Sequence, residues 1–216
     1  MNRSHQFKAV IFDLDGVITD TAHYHYLAWK ALAESEGVHF DHAFNENLKG
    51  VDRMGSLNLI LAGSSKTYSM EQKLALADRK NRQYVELVAT MGPDDLLPGA
   101  LEALAAVRAA GLKIGLASVS KNAFTVLDRL GIRDRFDYVV DAATIANSKP
   151  HPEIFLNAAA ALGVAPRECL GVEDAVAGVA SIKSAGMFAL GVGSPEVLTQ
   201  ADRVIASLLE FRLEDY

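Results

Sequence analysis

Short apolar runs alternate with longer amphipathic stretches over most of this chain. The apolar runs predict buried strands over residues 9–14, 112–117, 138–140, 169–172 and 188–192. The stretches between the later runs predict helices over residues 100–110, 123–130, 153–162 and 177–185, and a glycine that would end the helix follows each one. This alternation predicts an α/β fold with a doubly wound, Rossmann-like parallel sheet.

The segment from residue 20 to residue 92 lacks this alternation. It contains no convincing strand pattern, and it predicts helices near residues 24–36, 53–61 and 70–88. Ser69 and Gln72 have the spacing of a capping box at the start of the last of these helices. We therefore expect an all-helical cap domain, residues 20–92, inserted into a core domain of residues 1–19 and 93–216, with hinges at Asp20-Thr21 and Gly92-Pro93.

Acidic side chains follow two of the predicted strands. Asp13 and Asp15 end the first apolar run, and Glu173 and Asp174 follow the run at residues 169–172. If the two strands are parallel neighbours, their carboxyl ends meet at one edge of the sheet and these carboxylates converge. Clustered carboxylates repel one another unless a proton or a cation intervenes, and oxygen ligands suit Mg²⁺. A magnesium site is favoured over a turn in which an aspartate caps a backbone amide.

Two further polar residues follow predicted strands. Ser118 comes between the run at 112–117 and a helix, where a serine either caps the helix or contributes to a phosphate site. Lys149 lies in a loop stiffened by Pro150 and Pro152, where it is either a solvated lysine or a group that neutralises a phosphoryl group. Taken alone, Ser118 favours the helix cap, and Lys149 leaves both alternatives open.

Composition excludes several classes of function. The chain has 216 residues, of which 50% are hydrophobic, and its net charge of −6 argues against a general nucleic-acid or anionic-membrane surface. A single cysteine, Cys169, rules out an internal disulfide. Residues 1–8 are polar and precede only a short apolar run, which predicts neither a signal peptide nor a membrane span. We expect a cytoplasmic monomer.

The order Asp-x-Asp, Ser, Lys-Pro, Glu-Asp, each after a predicted strand, resembles the haloacid dehalogenase (HAD) superfamily, specifically its capped phosphotransferases. Further segments are similar to the sugar phosphomutases of that superfamily: residues 12–21 with His25 and Trp29, 48–53 with Ser56, 79–81, 117–122 and 148–150. The resemblance covers nearly all of the chain except about residues 198–216. Asp52 departs from it, because a small hydroxyl residue is expected there and a carboxylate adds negative charge near a phosphate site.

The resemblance implies a phosphomutase that interconverts β-D-glucose 1-phosphate and glucose 6-phosphate. The implied intermediates are an aspartyl-phosphate enzyme and β-glucose 1,6-bisphosphate, and the bisphosphate or another phosphoryl donor would act as primer. Asp13 would be the nucleophile and Asp15 the general acid/base, positioned by Thr21 and His25 at the cap hinge. Sugar phosphates are the expected partners.

The resemblance also implies the remaining site residues. One Mg²⁺ would be bound by Asp13, the backbone carbonyl of Asp15, Asp174 and, directly or through water, Glu173. Ser118 and Lys149 would hold the transferring phosphoryl group. The implied substrate-binding residues are Lys49, Gly50, Arg53, Ser56 and Lys80 in the cap, and Val119, Ser120, Lys121 and Asn122 in the core. A Mg²⁺-dependent sugar-phosphate phosphatase on the same scaffold and a non-catalytic phosphosugar-binding protein are the alternatives.

Overall fold

A single parallel sheet carries the core in the computed structural model, which describes residues 7–48 and 51–216. Its strands are β1 (Ala9–Phe12), β2 (Lys113–Leu116), β3 (Tyr138–Val139), β4 (Cys169–Glu173), β5 (Phe188–Val192) and β6 (Arg203–Ile205). They are ordered β3-β2-β1-β4-β5-β6, and every neighbouring pair is parallel. The predicted doubly wound sheet is confirmed, and the short edge strand β6 is an addition to it.

The helices of the described ranges fall into two groups. Those between β1 and β2 are α1 (Ala22–Ser35), α2 (His42–Glu46), α3 (Arg53–Leu61), α4 (Met70–Val88) and α5 (Ala100–Ala109). Those after β2 are α6 (Ala123–Leu130), α7 (Glu153–Leu162) and α8 (Val176–Ser184). Helices α3, α4, α6 and α7 have the predicted bounds, whereas the short α2 was not predicted. None of the helices in the described ranges combines the length and apolar character needed to cross a bilayer.

Strand β1 is buried on both faces of the sheet. Val10 and Phe12 pack in one apolar cluster with side chains of α5 and α6, and Ala9 and Ile11 pack in another with side chains of α7 and α8. All four side chains are 0% exposed. Because side chains alternate along a strand, an uninterrupted apolar run is what a strand covered on both faces requires.

Helices α1, α3 and α4 form the helical unit that was predicted between β1 and the rest of the core. Trp29, Leu32, Leu57 and Ile60 lie in an apolar cluster of that unit. The capping box predicted for α4 is present, since the Ser69 hydroxyl accepts from the Gln72 amide and the Gln72 side chain accepts from the Ser69 amide.

The two segments that join this unit to the core lie side by side. The amide of Leu97 donates to the carbonyl of Ile18 at 2.9 Å, and the hydroxyl of Thr19 donates to the carbonyl of Asp95 at 2.7 Å. Such pairing is what a common hinge for a cap would require. The bounds of the cap, residues 20 and 92, stay a prediction.

The strand order identifies where a ligand should bind. The chain proceeds outward from β1 to β2 and β3 on one side and through β4 to β5 and β6 on the other, so the order reverses between β1 and β4. In doubly wound sheets, ligands bind outside the carboxyl ends of the strands at this switch point. Asp13 directly follows β1, and Glu173 is the last residue of β4.

Candidate active site

Carboxylate oxygens of Asp13, Glu173 and Asp174 meet at the switch point, all within 4.8 Å of one another. Asp13 and Glu173 are buried, and Asp174 is half-buried. The parallel pairing of β1 with β4 produces this convergence, because it sets Phe12 opposite Val172 and so brings the residues after both strands together. The result is a compact set of oxygen donors.

Lys149 is buried against two of these acids. Its Nζ donates to Asp13 Oδ1 at 2.7 Å and to Glu173 Oε1 at 3.1 Å. Burial alone would lower the pKa of Lys149, but the charges of Asp13 and Glu173 outweigh that effect and raise the pKa above its usual value. Lys149 is therefore a fixed cation beside the Asp13 carboxylate.

The surroundings of Glu173 favour its protonated form. Burial raises the pKa of Glu173, the neighbouring Asp13 and Asp174 raise it further, and Lys149 opposes them. A divalent cation bound among the three carboxylates would oppose this shift and stabilise all of them in the ionised form. An all-oxygen donor set of this kind fits a hard divalent cation.

Gly16 allows the loop after β1 to approach the loop after β4. Its φ is +77°, and a Cβ at this position would overlap the carboxylate of Asp174. Both the backbone conformation and the close approach require glycine. Gly16 is therefore needed to let Asp174 approach Asp13 and Glu173.

Asp15 is held by a hydrogen-bonded chain from the cap. Its Oδ1 accepts from the Thr21 amide at 3.1 Å and from the Thr21 hydroxyl, which accepts from the Tyr84 hydroxyl at 3.1 Å. Burial, with the charge of Asp13 adding to it, raises the pKa of Asp15 to about 6. A carboxyl with this pKa exists in both protonated and ionised forms near neutral pH, as a general acid/base must.

Lys80 and His25 form a buried pair on the cap side. Lys80 is 3% exposed, its Nζ lies 2.7 Å from His25 Nδ1, and it lies 4.4 Å from the centre of the Trp29 ring. Burial, with the charge of Arg53 adding to it, lowers the pKa of Lys80 to about 7. Burial and Lys80 also hold the pKa of His25 well below its usual value, so a neutral His25 accepts a hydrogen bond from Lys80.

Arg53 connects the cap to the core through one amide side chain. Asn81 Oδ1 accepts from Arg53 Nη2 and from Asn122 Nδ2, both at 2.8 Å. Arg53 begins α3, Asn81 belongs to α4, and Asn122 directly precedes α6. A cationic guanidinium is thereby fixed opposite the loop that follows β2.

The structure brings nearly all of the predicted site residues into one cleft between cap and core. Those that line it are Asp13, Asp15, His25, Arg53, Ser56, Lys80, Ser118, Val119, Ser120, Lys121, Asn122, Lys149, Glu173 and Asp174. Thr21 is fully buried behind Asp15 rather than lining the cleft. Lys49 and Gly50 lie outside the described residues. The roles assigned to these residues stay predictions.

Two residues that hydrogen-bond to predicted site residues, Asn81 and Tyr84, were not themselves predicted as site residues. Asn81 directly follows Lys80 in a segment that carries the resemblance, and Tyr84 lies four residues after Lys80. Since positions i and i+4 share a helix face, this spacing placed Tyr84 beside Lys80. His25 stacks on the Tyr84 ring with centroids 4.0 Å apart. Helical spacing from Lys80 was therefore the available signal.

Asp52 caps a helix, whereas its charge had indicated a position near a phosphate site. Its Oδ1 accepts from the amides of Met54 at 2.9 Å and Gly55 at 3.1 Å, so it is the N-cap of α3. Asp52 is not among the residues that line the cleft. Its charge therefore faces the amino end of a helix, where an anion is stabilised.

Comparison with known proteins agrees with this geometry. Residues 7–186 match the family model of haloacid dehalogenase-like hydrolases. The chain is 50% identical over 209 residues to beta-phosphoglucomutase of Bacillus subtilis (strain 168), covering 96% of this chain and 92% of that protein. It is 32% identical over 222 residues to hexitol phosphatase B of Escherichia coli (strain K12), covering 100% and 99%.

A solved structure gives the same result. The crystal structure of beta-phosphoglucomutase from Clostridium difficile is similar with a TM-score of 0.94 and 48% identity, covering 97% of this chain and 95% of that chain. The resemblance inferred from the motifs is confirmed by both kinds of comparison. The chain therefore belongs to the haloacid dehalogenase-like hydrolase family.

Proposed function

We propose that this chain is a β-phosphoglucomutase, an isomerase that interconverts β-D-glucose 1-phosphate and glucose 6-phosphate. The observation that carries the proposal is the presence of cationic groups on both walls of one cleft, Lys149 in the core and Arg53 in the cap. A mutase must hold a second phosphate while the first one reacts. The high identity to two beta-phosphoglucomutases favours this activity over the phosphatase alternative.

The first chemical step transfers the phosphoryl group from Asp13 to the sugar. The C6 hydroxyl of β-glucose 1-phosphate attacks the phosphorus of phosphorylated Asp13 while ionised Asp15 takes the hydroxyl proton. The bond between phosphorus and the Asp13 oxygen breaks, so β-glucose 1,6-bisphosphate and a free Asp13 carboxylate result. Thr21 orients the acid/base through its two hydrogen bonds to Asp15.

The second step regenerates the phosphoenzyme after the bisphosphate has turned around in the cleft. The Asp13 carboxylate attacks the phosphorus at C1, and the bond to the C1 oxygen breaks. Protonated Asp15 gives its proton to that oxygen, so glucose 6-phosphate leaves with a neutral hydroxyl. Lys149, donating to Asp13 at 2.7 Å, and Ser118 hold the transferring phosphoryl oxygens.

We assign one Mg²⁺ to Asp13, the backbone carbonyl of Asp15, Glu173 and Asp174. When bound, it offsets the repulsion between the Asp13 carboxylate and an incoming phosphate. The clustering of oxygen donors within 4.8 Å and the raised pKa of Glu173 beside Asp13 and Asp174 support this assignment.

The Gly16→Ala variant tests the metal site. A Cβ would displace the Asp174 carboxylate, so we expect the Mg²⁺ concentration for half-maximal turnover to rise by about tenfold to a hundredfold. Gly37→Ala is the matched control, because its φ is +74° but its Cβ would have nothing within 4 Å. Equal Mg²⁺ requirements in Gly16→Ala and Gly37→Ala would contradict the role of Asp174.

The Arg53→Ala variant tests the site for the non-reacting phosphate. Because the guanidinium would make charge-assisted hydrogen bonds to that phosphate, kcat/KM for β-glucose 1-phosphate should fall by about tenfold to a hundredfold. Hydrolysis of a small aryl phosphate, which lacks a second phosphate, should change little. Arg82→Ala, an exposed residue of the same cap, is the control. Equal losses on both substrates would argue against the assignment.

The overall reaction is tested by following two products at once. The enzyme is given β-D-glucose 1-phosphate, Mg²⁺ and acetyl phosphate as primer, and glucose 6-phosphate and inorganic phosphate are measured, with the α anomer as control. We expect glucose 6-phosphate from the β anomer only and little free phosphate. Mainly free phosphate would identify a phosphatase, and no turnover of any sugar phosphate would identify a binding protein.

The proposed enzyme works as a cytoplasmic monomer with sugar phosphates as its partners. The net charge of −6 supports the absence of nucleic-acid and membrane partners. Sedimentation of the purified chain would test the oligomeric state.

A further inference from the structure

Asp52 connects the cap to the core loop that carries Lys149. One carboxylate oxygen, Oδ1, caps α3 through the amides of Met54 and Gly55. The other, Oδ2, accepts from the hydroxyl of Ser148 at 2.9 Å. Asp52 and Ser148 are 96 residues apart in the chain, so this hydrogen bond joins two distant segments.

The loop on the core side of this contact is firmly held. Glu153 accepts from the backbone amides of Ala146 at 2.7 Å and Asn147 at 2.9 Å. Ser148 follows, and the next residue, Lys149, is bonded to Asp13. The hydrogen bond that Ser148 donates to Asp52 therefore joins the cap to a firmly held part of the core, one residue before Lys149, the partner of Asp13.

The charge of Asp52 strengthens this hydrogen bond. Partial burial would raise the pKa of Asp52, but its hydrogen-bond donors outweigh that effect and lower the pKa. The carboxylate is thus ionised at neutral pH, and a hydroxyl that donates to an ionised acceptor makes a stronger bond than one that donates to a neutral acceptor. A serine at position 52 would still cap α3, but its side chain is shorter and has one oxygen instead of two.

A second contact joins cap and core at another point of the cleft. Asn122 of the core donates to Asn81 of the cap, which also accepts from Arg53, the residue after Asp52. The amino end of α3 is therefore connected to the core on two sides, through Ser148 and through Asn122. Rotation of the cap away from the core would require both hydrogen bonds to break.

We propose that Asp52 is a positioning residue whose hydrogen bond to Ser148 holds the cap closed and thereby keeps water away from phosphorylated Asp13. This proposal rests on the proposed mutase function, because only a phosphoenzyme that waits for a sugar hydroxyl needs protection from water. Asp52 does not line the cleft, so it would act through the position of the cap.

Ser148→Ala is the variant that tests the proposal most directly. It removes the hydroxyl donor and leaves the N-cap of α3, Asp52, intact. Trp29, the single tryptophan of the chain, lies in the cap, lines the cleft and is 4% exposed, so its fluorescence reports opening. Loss of one hydrogen bond should increase quenching of Trp29 by acrylamide about threefold to tenfold. Ser194→Ala, which removes an exposed serine hydroxyl of the core bonded to Glu196, is the control.

Asp52→Ser gives an independent variant on the cap side. Its matched control is Asp41→Ser. Asp41 is likewise the N-cap residue of a helix in the cap domain, and its carboxylate contacts Phe44 and His39 of that domain. If Asp52 acts through Ser148, the double variant should open no further than either single variant. Additive effects of the two substitutions would overturn the proposal.

The functional result is the lifetime of the phosphoenzyme without sugar. We expect Ser148→Ala and Asp52→Ser to release inorganic phosphate from the phosphoenzyme about threefold to tenfold faster than the controls, with an unfolding midpoint that falls by no more than about 2–4 °C in Ser148→Ala. Unchanged quenching and unchanged hydrolysis would overturn the proposal. Failure of the wild type to form glucose 6-phosphate would instead overturn the mutase function, and the quenching result would still report whether Ser148 holds the cap closed.

Discussion

Replacing Asp13 by asparagine should lower turnover by about four to six orders of magnitude. The amide cannot act as the anionic nucleophile, so no aspartyl-phosphate can form. The protein should still fold, because Lys149 keeps its hydrogen bond to Glu173 at 3.1 Å. Intact-protein mass measured after exposure to acetyl phosphate and Mg²⁺ should show one added phosphoryl group in the wild type and none in Asp13→Asn.

The control for this variant is Asp94→Asn, an exposed acid of the same chain, which should be phosphorylated like the wild type. Formation of a phosphoenzyme by Asp13→Asn would contradict the assignment of the nucleophile. In that case the phosphorylated residue, located by peptide mapping, would replace Asp13 in the mechanism.

Replacing Asp15 by asparagine should lower turnover of β-glucose 1-phosphate by about two to four orders of magnitude. The asparagine oxygen can still accept the hydrogen bonds from Thr21, but an amide neither takes up nor releases a proton near neutral pH. Binding of Mg²⁺ and phosphate should persist, because Asp15 would contribute only its backbone carbonyl to the metal. Titration calorimetry with Mg²⁺ would check this.

Asp15→Asn differs from Asp13→Asn in one measurable way. Acetyl phosphate has a leaving group that needs no protonation, so Asp15→Asn should still be phosphorylated by it while failing to pass the group to the sugar. Thr21→Val removes only the hydroxyl that holds Asp15, so its turnover should lie between those of the wild type and Asp15→Asn. Near-wild-type turnover in Asp15→Asn would exclude Asp15 as the acid/base.

Strong local patterns made much of the fold predictable from the sequence. The apolar run of β1 is buried on both faces, and the periodic stretch of α4 begins with its capping box as predicted. In contrast, β6 has only three residues at the edge of the sheet, and α2 has five, capped by Asp41. β6 has only two apolar residues after Arg203, and α2 has no buried residue, so neither has the apolar pattern that predicted even the two-residue β3.

The site residues that follow strand ends were predictable from the sequence, whereas the contacts between cap and core were less so. Asp13 and Glu173 converge because their strands are parallel neighbours, the condition under which the sequence predicted their convergence. The contact of Asp52 with Ser148 depends on how the two units are packed, and residues 96 positions apart leave no local signal of their contact. The charge of Asp52 therefore indicated an effect on phosphate, whereas its position indicates one on the cap.

The central position of β1 in the sheet affects how the chain folds while it is being synthesised. β1 precedes the other strands of this sheet in the chain, yet Ala9 pairs with Lys113 on one side and with Cys169 on the other. Until both partners have been translated, the backbone of β1 lacks its neighbours and its apolar side chains remain uncovered. Such distant pairings form slowly and expose partly made chains to aggregation. Since Glu173 and Asp174 follow Cys169, we expect a nascent chain to gain its acidic cluster only late in translation.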